Sequence, residues 1–184
     1  MRMLAFYSVG YDCVDVDAAN ERGVLIVHSP TESNWGGVAE GTVANMLAIL
    51  KRVREKDRHV KSGGWRDNSL KGNFLGSRHM DNHPGMTLGI VGLGRIGGRV
   101  ADLMAPWRMR MIACDPYADD SVFVHHNARK VDLETLLRES DIVRDMYVRA
   151  IAVFQTDDQA LIAGILGTLP GREPLVVVEQ VVAV

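Results

Sequence analysis

The chain has 184 residues, 47% of them hydrophobic and 24% charged, a balance that excludes disorder and suits one ordinary domain or two small ones but not two full α/β domains. With 21 Lys and Arg against 23 Asp and Glu, the formal charge of −2 offers no broad field for nucleic acid or an anionic membrane, so small-molecule chemistry is expected. Cys13 and Cys114 stand far apart with no second Cys or paired His at metal spacing, which argues against a zinc site or disulfide framework and fits a reducing cytoplasm.

In chain order, "MLAFYSVG" has strand character, "DVDAANERG" reads as a short helix between an Asp15 N-cap and a Gly23 stop signal, and "VLIVHSP" is a second strand closed by Pro30. The polar stretch "TESNWGG" leads into one long amphipathic helix predicted from Val38 to about Lys61, with Val38, Thr42, Met46, Ile49, Val53 and Val60 along its stripe. Its charged second half, "KRVREKDRHVK", reads as a solvated helix face rather than a nucleic-acid patch. Residues 62–85, rich in Gly and Asn, read as a connector.

From Thr87 the alternation resumes with strand "LGIVGL", helix "RIGGRVADLMAPW", strand "RMRMIACD", a loop holding His125 and His126 as exposed polar residues, helix "VDLETLLRES" capped by Asp132, and a strand start "DIV". Such alternation predicts an α/β fold with a parallel sheet and crossover helices. No apolar run approaches the roughly 20 residues that cross a bilayer, so a soluble, unexported chain is expected.

Chemistry enters with "GLGRIG", residues 92–97, which matches GxGxxG between an apolar strand and an amphipathic helix. Gly92 permits the tight turn, Gly94 lets backbone approach a pyrophosphate, and Gly97 allows close packing of helix on strand. Amides at the helix start, including those of Arg95 and Ile96, would meet the phosphates at the positive end of the helix dipole. Asp115, at the end of the next strand, is a carboxylate at the distance that an NAD ribose requires, and its charge would repel the 2′-phosphate of NADP. A dinucleotide, NAD, is therefore the expected cofactor.

Over residues 4–143 these segments, "SVGYDCVDVDAANERG", "GMTLGIVGLGRIGGRVADLMAPWRMRMIACDPYA" and "VDLETLLRESDIV" among them, resemble the D-isomer-specific 2-hydroxyacid dehydrogenases. The resemblance implies a flavodoxin-like substrate domain joined to a Rossmann-like NAD-binding domain, and hydride exchange between NAD(H) and a small 2-hydroxy or 2-keto acid. It makes "FYSVGYD" a loop facing substrate and nicotinamide, with Ser8, Val9 and Gly10 as site candidates. It also implies a homodimer. On this reading residues 1–85 are a remnant of the substrate domain with an interdomain helix and connector, residues 86–143 are the first half of the NAD-binding domain, and residues 144–184 form a C-terminal helix and apolar tail.

After Val143 the resemblance stops. The family's chemistry uses an Arg that grips the carboxylate, a His that moves the hydroxyl proton and a Glu that supports the His, all placed in the second half of the cofactor domain. The 41 residues from Arg144 to Val184 are too few for that half, and the chain's six histidines, His28, His59, His79, His83, His125 and His126, all precede it. No catalytic residue is assigned. The expectation is a truncated or internally deleted member that holds NAD with impaired or absent turnover; a non-catalytic NAD-sensing or dimerisation module that pairs with itself or a full-length relative, or a degraded fragment, remains open. The half-sheet's edge is expected to be covered by the tail or by self-association.

Overall fold

The computed structural model describes residues 1–144 together with strand residues Val176–Val177. The chain divides into two compact units, Met1–Val38 and Ala39–Val184.

The first unit is a small parallel step. Strands β1 (Met3–Ala5) and β2 (Leu25–Val27) pair in parallel, with Met3 opposite Leu25 and Ala5 opposite Val27. Between them runs α1 (Val16–Glu21), started by the Asp15 carboxylate, which accepts the Ala18 amide at 2.9 Å. It is ended at Gly23, whose φ of +61° takes the left-handed conformation that glycine adopts without strain.

The single long helix expected from Val38 to Lys61 is instead two. Helix α2 (Glu32–Leu50) starts earlier, within the polar stretch, and α3 (Val53–Lys61) follows a break at Arg52, which has a φ of +54°. The connector fills that break. Asn73 donates its amide to the Leu50 carbonyl at 2.9 Å, the Lys51 ammonium bonds the Asn73 carbonyl, and the Arg52 guanidinium bonds the Ser69 carbonyl. The expected stripe is therefore buried only in part of α2, where Ala39, Thr42, Met46 and Leu50 are buried but Ile49 is exposed, and it is lost in α3, where Val53 and Val60 are exposed. Residues 62–85 are otherwise the irregular connector expected, with one turn of 3₁₀ helix at Asn68–Leu70.

The second unit is built on a parallel sheet. Its strands are β3 (Thr87–Val91), β4 (Arg110–Cys114), β5 (Arg129–Lys130), β6 (Ile142–Arg144) and β7 (Val176–Val177), in the spatial order β5-β4-β3-β6-β7. Every neighbouring pair runs parallel. Helix α4 (Arg95–Met104) joins β3 to β4, α5 (Asp120–His125) joins β4 to β5, and α6 (Leu133–Glu139) leads into β6. The stretch expected as a loop after β4 thus holds a short helix and a two-residue strand, both too brief to show a period in sequence.

Alternation along the strands sorts side chains to two faces. Leu88, Ile90, Met111, Ala113 and Ile142 join Val100, Ala101 and Met104 of α4 in one core, whereas Ile112 and Val143 join Leu136 of α6 in another. Both faces of the sheet are covered, as a parallel sheet requires. Burying a side chain such as Leu88 or Ile90 contributes about 1.5–3 kcal/mol, and both are fully buried. On the far side of β6 lies β7, with Ile142 opposite Val176 and Val143 opposite Val177, so part of the apolar tail pairs with the β6 edge. The helix expected in "DDQALIAGILG" lies outside the described residues, as does the rest of the tail. Among the described residues no helix is long and apolar enough to cross a membrane.

Candidate cofactor site

The strand order places β4 on one side of β3 and β6 on the other. In an open parallel sheet that reversal leaves a crevice outside the carboxyl ends of the strands, and ligands bind there. The turn that follows β3 at this point is Gly92–Gly97.

Gly92 has a φ of +81° and its amide bonds the Cys114 carbonyl at 2.9 Å, so the chain leaves the strand through a turn that a side chain would strain. Gly97 is buried, and a Cβ there would stand 2.0 Å from the Gly92 carbonyl oxygen. The helix can approach the turn only because that atom is missing. Gly94 is the opposite case. It is exposed, caps α4 with no side-chain hydrogen bond, and a Cβ on it would meet nothing within 4 Å. Space is thus kept directly over the start of a ten-residue helix whose dipole is positive at this end.

Asp115 ties the next strand to this turn. Its Oδ2 accepts the Leu93 amide at 2.8 Å, and its Oδ1 accepts the amides of Tyr117 at 2.9 Å and Ala118 at 3.2 Å. An ionised carboxylate has about four acceptor positions, so these bonds leave room for a sugar hydroxyl. Gly92, Gly94, Arg95, Ile96, Gly97 and Asp115 therefore come together at one sheet end, in an arrangement that a dinucleotide's pyrophosphate and ribose fit. The neighbouring Cys114 thiol is pushed above its usual range, first by burial and then by the Asp115 and Asp132 carboxylates.

The loop of Ser8, Val9 and Gly10 belongs to the first unit. It is held by its own bonds: Ser8 Oγ donates to the Gly10 carbonyl at 2.9 Å, and His28 Nδ1 lies 2.9 Å from the Val9 carbonyl.

His125 is exposed at the end of α5, but His126 is not the exposed loop residue expected. Its side chain is only 14% exposed, with Nδ1 2.7 Å from Asp102 Oδ1 on α4, because α5 folds back onto that helix. Its partner lies in the last turn of α4, away from the Gly92–Gly97 turn at that helix's start, so the pair clamps α5 to α4.

One residue at the strand ends went unassigned. Arg144 closes β6 opposite Ile90, is buried at 5% exposure, and puts Nη1 3.2 Å from where a Gly97 Cβ would lie. The available signal was a charged residue directly after the apolar "DIV".

Residues 43–147 match the family model described as D-isomer specific 2-hydroxyacid dehydrogenase, NAD binding domain. A D-3-phosphoglycerate dehydrogenase of Archaeoglobus fulgidus is 32% identical over 143 residues, covering 78% of this chain and 25% of the relative. A glyoxylate reductase of Pyrococcus horikoshii is 36% identical over 146 residues, covering 78% of this chain and 42% of that one. Among solved structures, the D-lactate dehydrogenase of Aquifex aeolicus complexed with NAD and lactic acid superposes with a TM-score of 0.65 at 29% identity, over 79% of this chain and 41% of that one. The chain spans from a quarter to about two-fifths of the length of these relatives.

Proposed function

The chain belongs to the D-isomer specific 2-hydroxyacid dehydrogenases, and from that premise we propose that it holds NAD(H) at the Gly92–Gly97 turn for the family's exchange of hydride with a 2-hydroxy or 2-keto acid. One observation carries the reading. The turn closes tightly on its helix at Gly97 and yet leaves Gly94 open, with the Asp115 carboxylate fastened beside it. Gly94 and the first turn of α4 would take the pyrophosphate, and Asp115 the adenosine ribose. When bound, the cofactor supplies a hydride donor or acceptor at nicotinamide C4.

Proton transfer is a different matter. Hydride exchange at C2 needs a base near neutral pKa for the hydroxyl proton and a cation for the carboxylate. From Arg144 to Val184 the sequence has no histidine, and His126 is engaged by Asp102 on the helix flank. We therefore propose NAD(H) binding with impaired turnover in this chain, which also suits a role as an NAD-sensing module.

Calorimetric titration with NADH, followed by NADH oxidation assays with glyoxylate, pyruvate and hydroxypyruvate, tests both parts. Saturable binding with little oxidation is expected. Turnover at the rates of ordinary dehydrogenases contradicts impaired catalysis, and absence of binding removes the whole reading.

A further inference from the structure

We propose that Arg144 is a phosphate-binding residue of the cofactor site, its guanidinium reaching a pyrophosphate oxygen from beneath the glycine turn; this rests on the NAD-binding reading above.

Three observations converge on it. The first is topological. Strand β6 lies across the sheet's reversal from β4, and the parallel register sets Arg144 opposite Ile90, so both strands reach the crevice together. The second is the face it occupies. Ile142 packs in the core shared with α4 and Val143 in the core shared with α6, so alternation returns Arg144 to the α4 side. The third is reach. Nη1 lies sealed from solvent within 3.2 Å of the point where a Gly97 Cβ would sit, so the guanidinium sits directly under the turn and its other terminal nitrogen, Nη2, is the one left to meet a phosphate.

The energetics favour an anion at this place. A guanidinium beside the amino end of a helix adds its charge to the helix's own positive pole, so a pyrophosphate seated against both is attracted by both. At 5% exposure the side chain has already given up its rotamer freedom, so little further ordering accompanies a contact with ligand. Its planar fork matches phosphate oxygens, and five donors let it keep an interaction inside the protein while bonding one of them.

The test uses the full chain, with NADH and ADP-ribose as probes, titrated at several salt concentrations for the wild type, Arg144→Gln and Arg144→Lys. Arg144→Gln should bind both probes about tenfold more weakly, the loss of one charged hydrogen bond, and with a flatter salt dependence. Arg144→Lys, which keeps the charge and loses the fork, should keep the salt dependence and bind roughly threefold more weakly. Affinities of both variants within twofold of wild type, or weakening of Arg144→Gln with an unaltered salt dependence, overturn the proposal. Should Arg144→Gln fail to fold by circular dichroism, Arg144→Lys decides alone: equal affinity overturns it. A wild-type chain that binds neither probe sinks the NAD reading instead.

Discussion

Gly97 and Gly94 stand three positions apart in one motif, and substitution should separate their roles. A methyl at Gly97 would collide with the backbone oxygen of Gly92, an atom that cannot move without opening the turn. Gly97→Ala should therefore lower thermal stability as well as NADH affinity, by about 1–3 kcal/mol in stability for an overpacked site; unchanged unfolding would show that helix and turn are not in contact. Asp115 makes a second residue-scale prediction. Asp115→Asn keeps an acceptor toward Leu93 but removes the charge that disfavours a 2′-phosphate, so the ratio of NADPH to NADH affinity should rise. An unchanged ratio would place the ribose elsewhere. The raised Cys114 thiol predicts that iodoacetamide near pH 8 labels exposed Cys13 roughly tenfold faster, with Cys114 catching up as pH rises through its elevated range and the thiolate forms. These residues were legible in sequence because a motif lists neighbours along the chain. Arg144 was not, since its place beneath Gly97 exists only once β6 has paired with β3.

At the scale of elements, helix caps are local and helix continuity is not. Asp15 and Asp132 both cap as expected, because an Asp side chain needs only the next three residues to do so. The Arg52 break depended on Asn73 and Ser69, about twenty residues ahead, and a local period cannot report such partners. Hydrogen bonds from the Thr135 amide and hydroxyl hold the Asp132 carboxyl below its usual range. A lowered folded pKa means that this contribution is present above the ordinary aspartate value of about 3.9 and is lost as pH falls through the lower folded value. Asp132→Asn, which cannot titrate, should accordingly lose less stability than wild type on acidification below pH ~4; parallel acid-unfolding curves would refute the cap's role. Arg108 closes the one-turn 3₁₀ helix after α4 with a φ of +56°. Relieving that left-handed residue with Arg108→Gly should raise stability by about 1 kcal/mol in urea unfolding. Loss of stability there would mean that the arginine side chain contributes more than its backbone costs.

For the whole molecule, strand order matters more than any single motif. Alternating elements predicted a parallel sheet, and the sheet formed; what no local pattern displayed was that β6 would return to the opposite side of β3 and create the crevice. Among the described residues the core on the α6 face is small, and Leu136 is fully buried there, so Leu136→Ala is expected to lose about 2–5 kcal/mol in urea unfolding. The most direct test of the cofactor site is thermal unfolding of the full chain with and without NADH, run beside Gly94→Ala. A methyl at Gly94 meets no protein atom, so the variant should unfold close to the wild type when no nucleotide is added. NADH at about a hundred times its dissociation constant should stabilise the wild type by roughly 2.7 kcal/mol, and Gly94→Ala, whose methyl fills the pyrophosphate's place, should gain little. No shift in the wild type, or the same shift in both proteins, would contradict a dinucleotide seated over this turn.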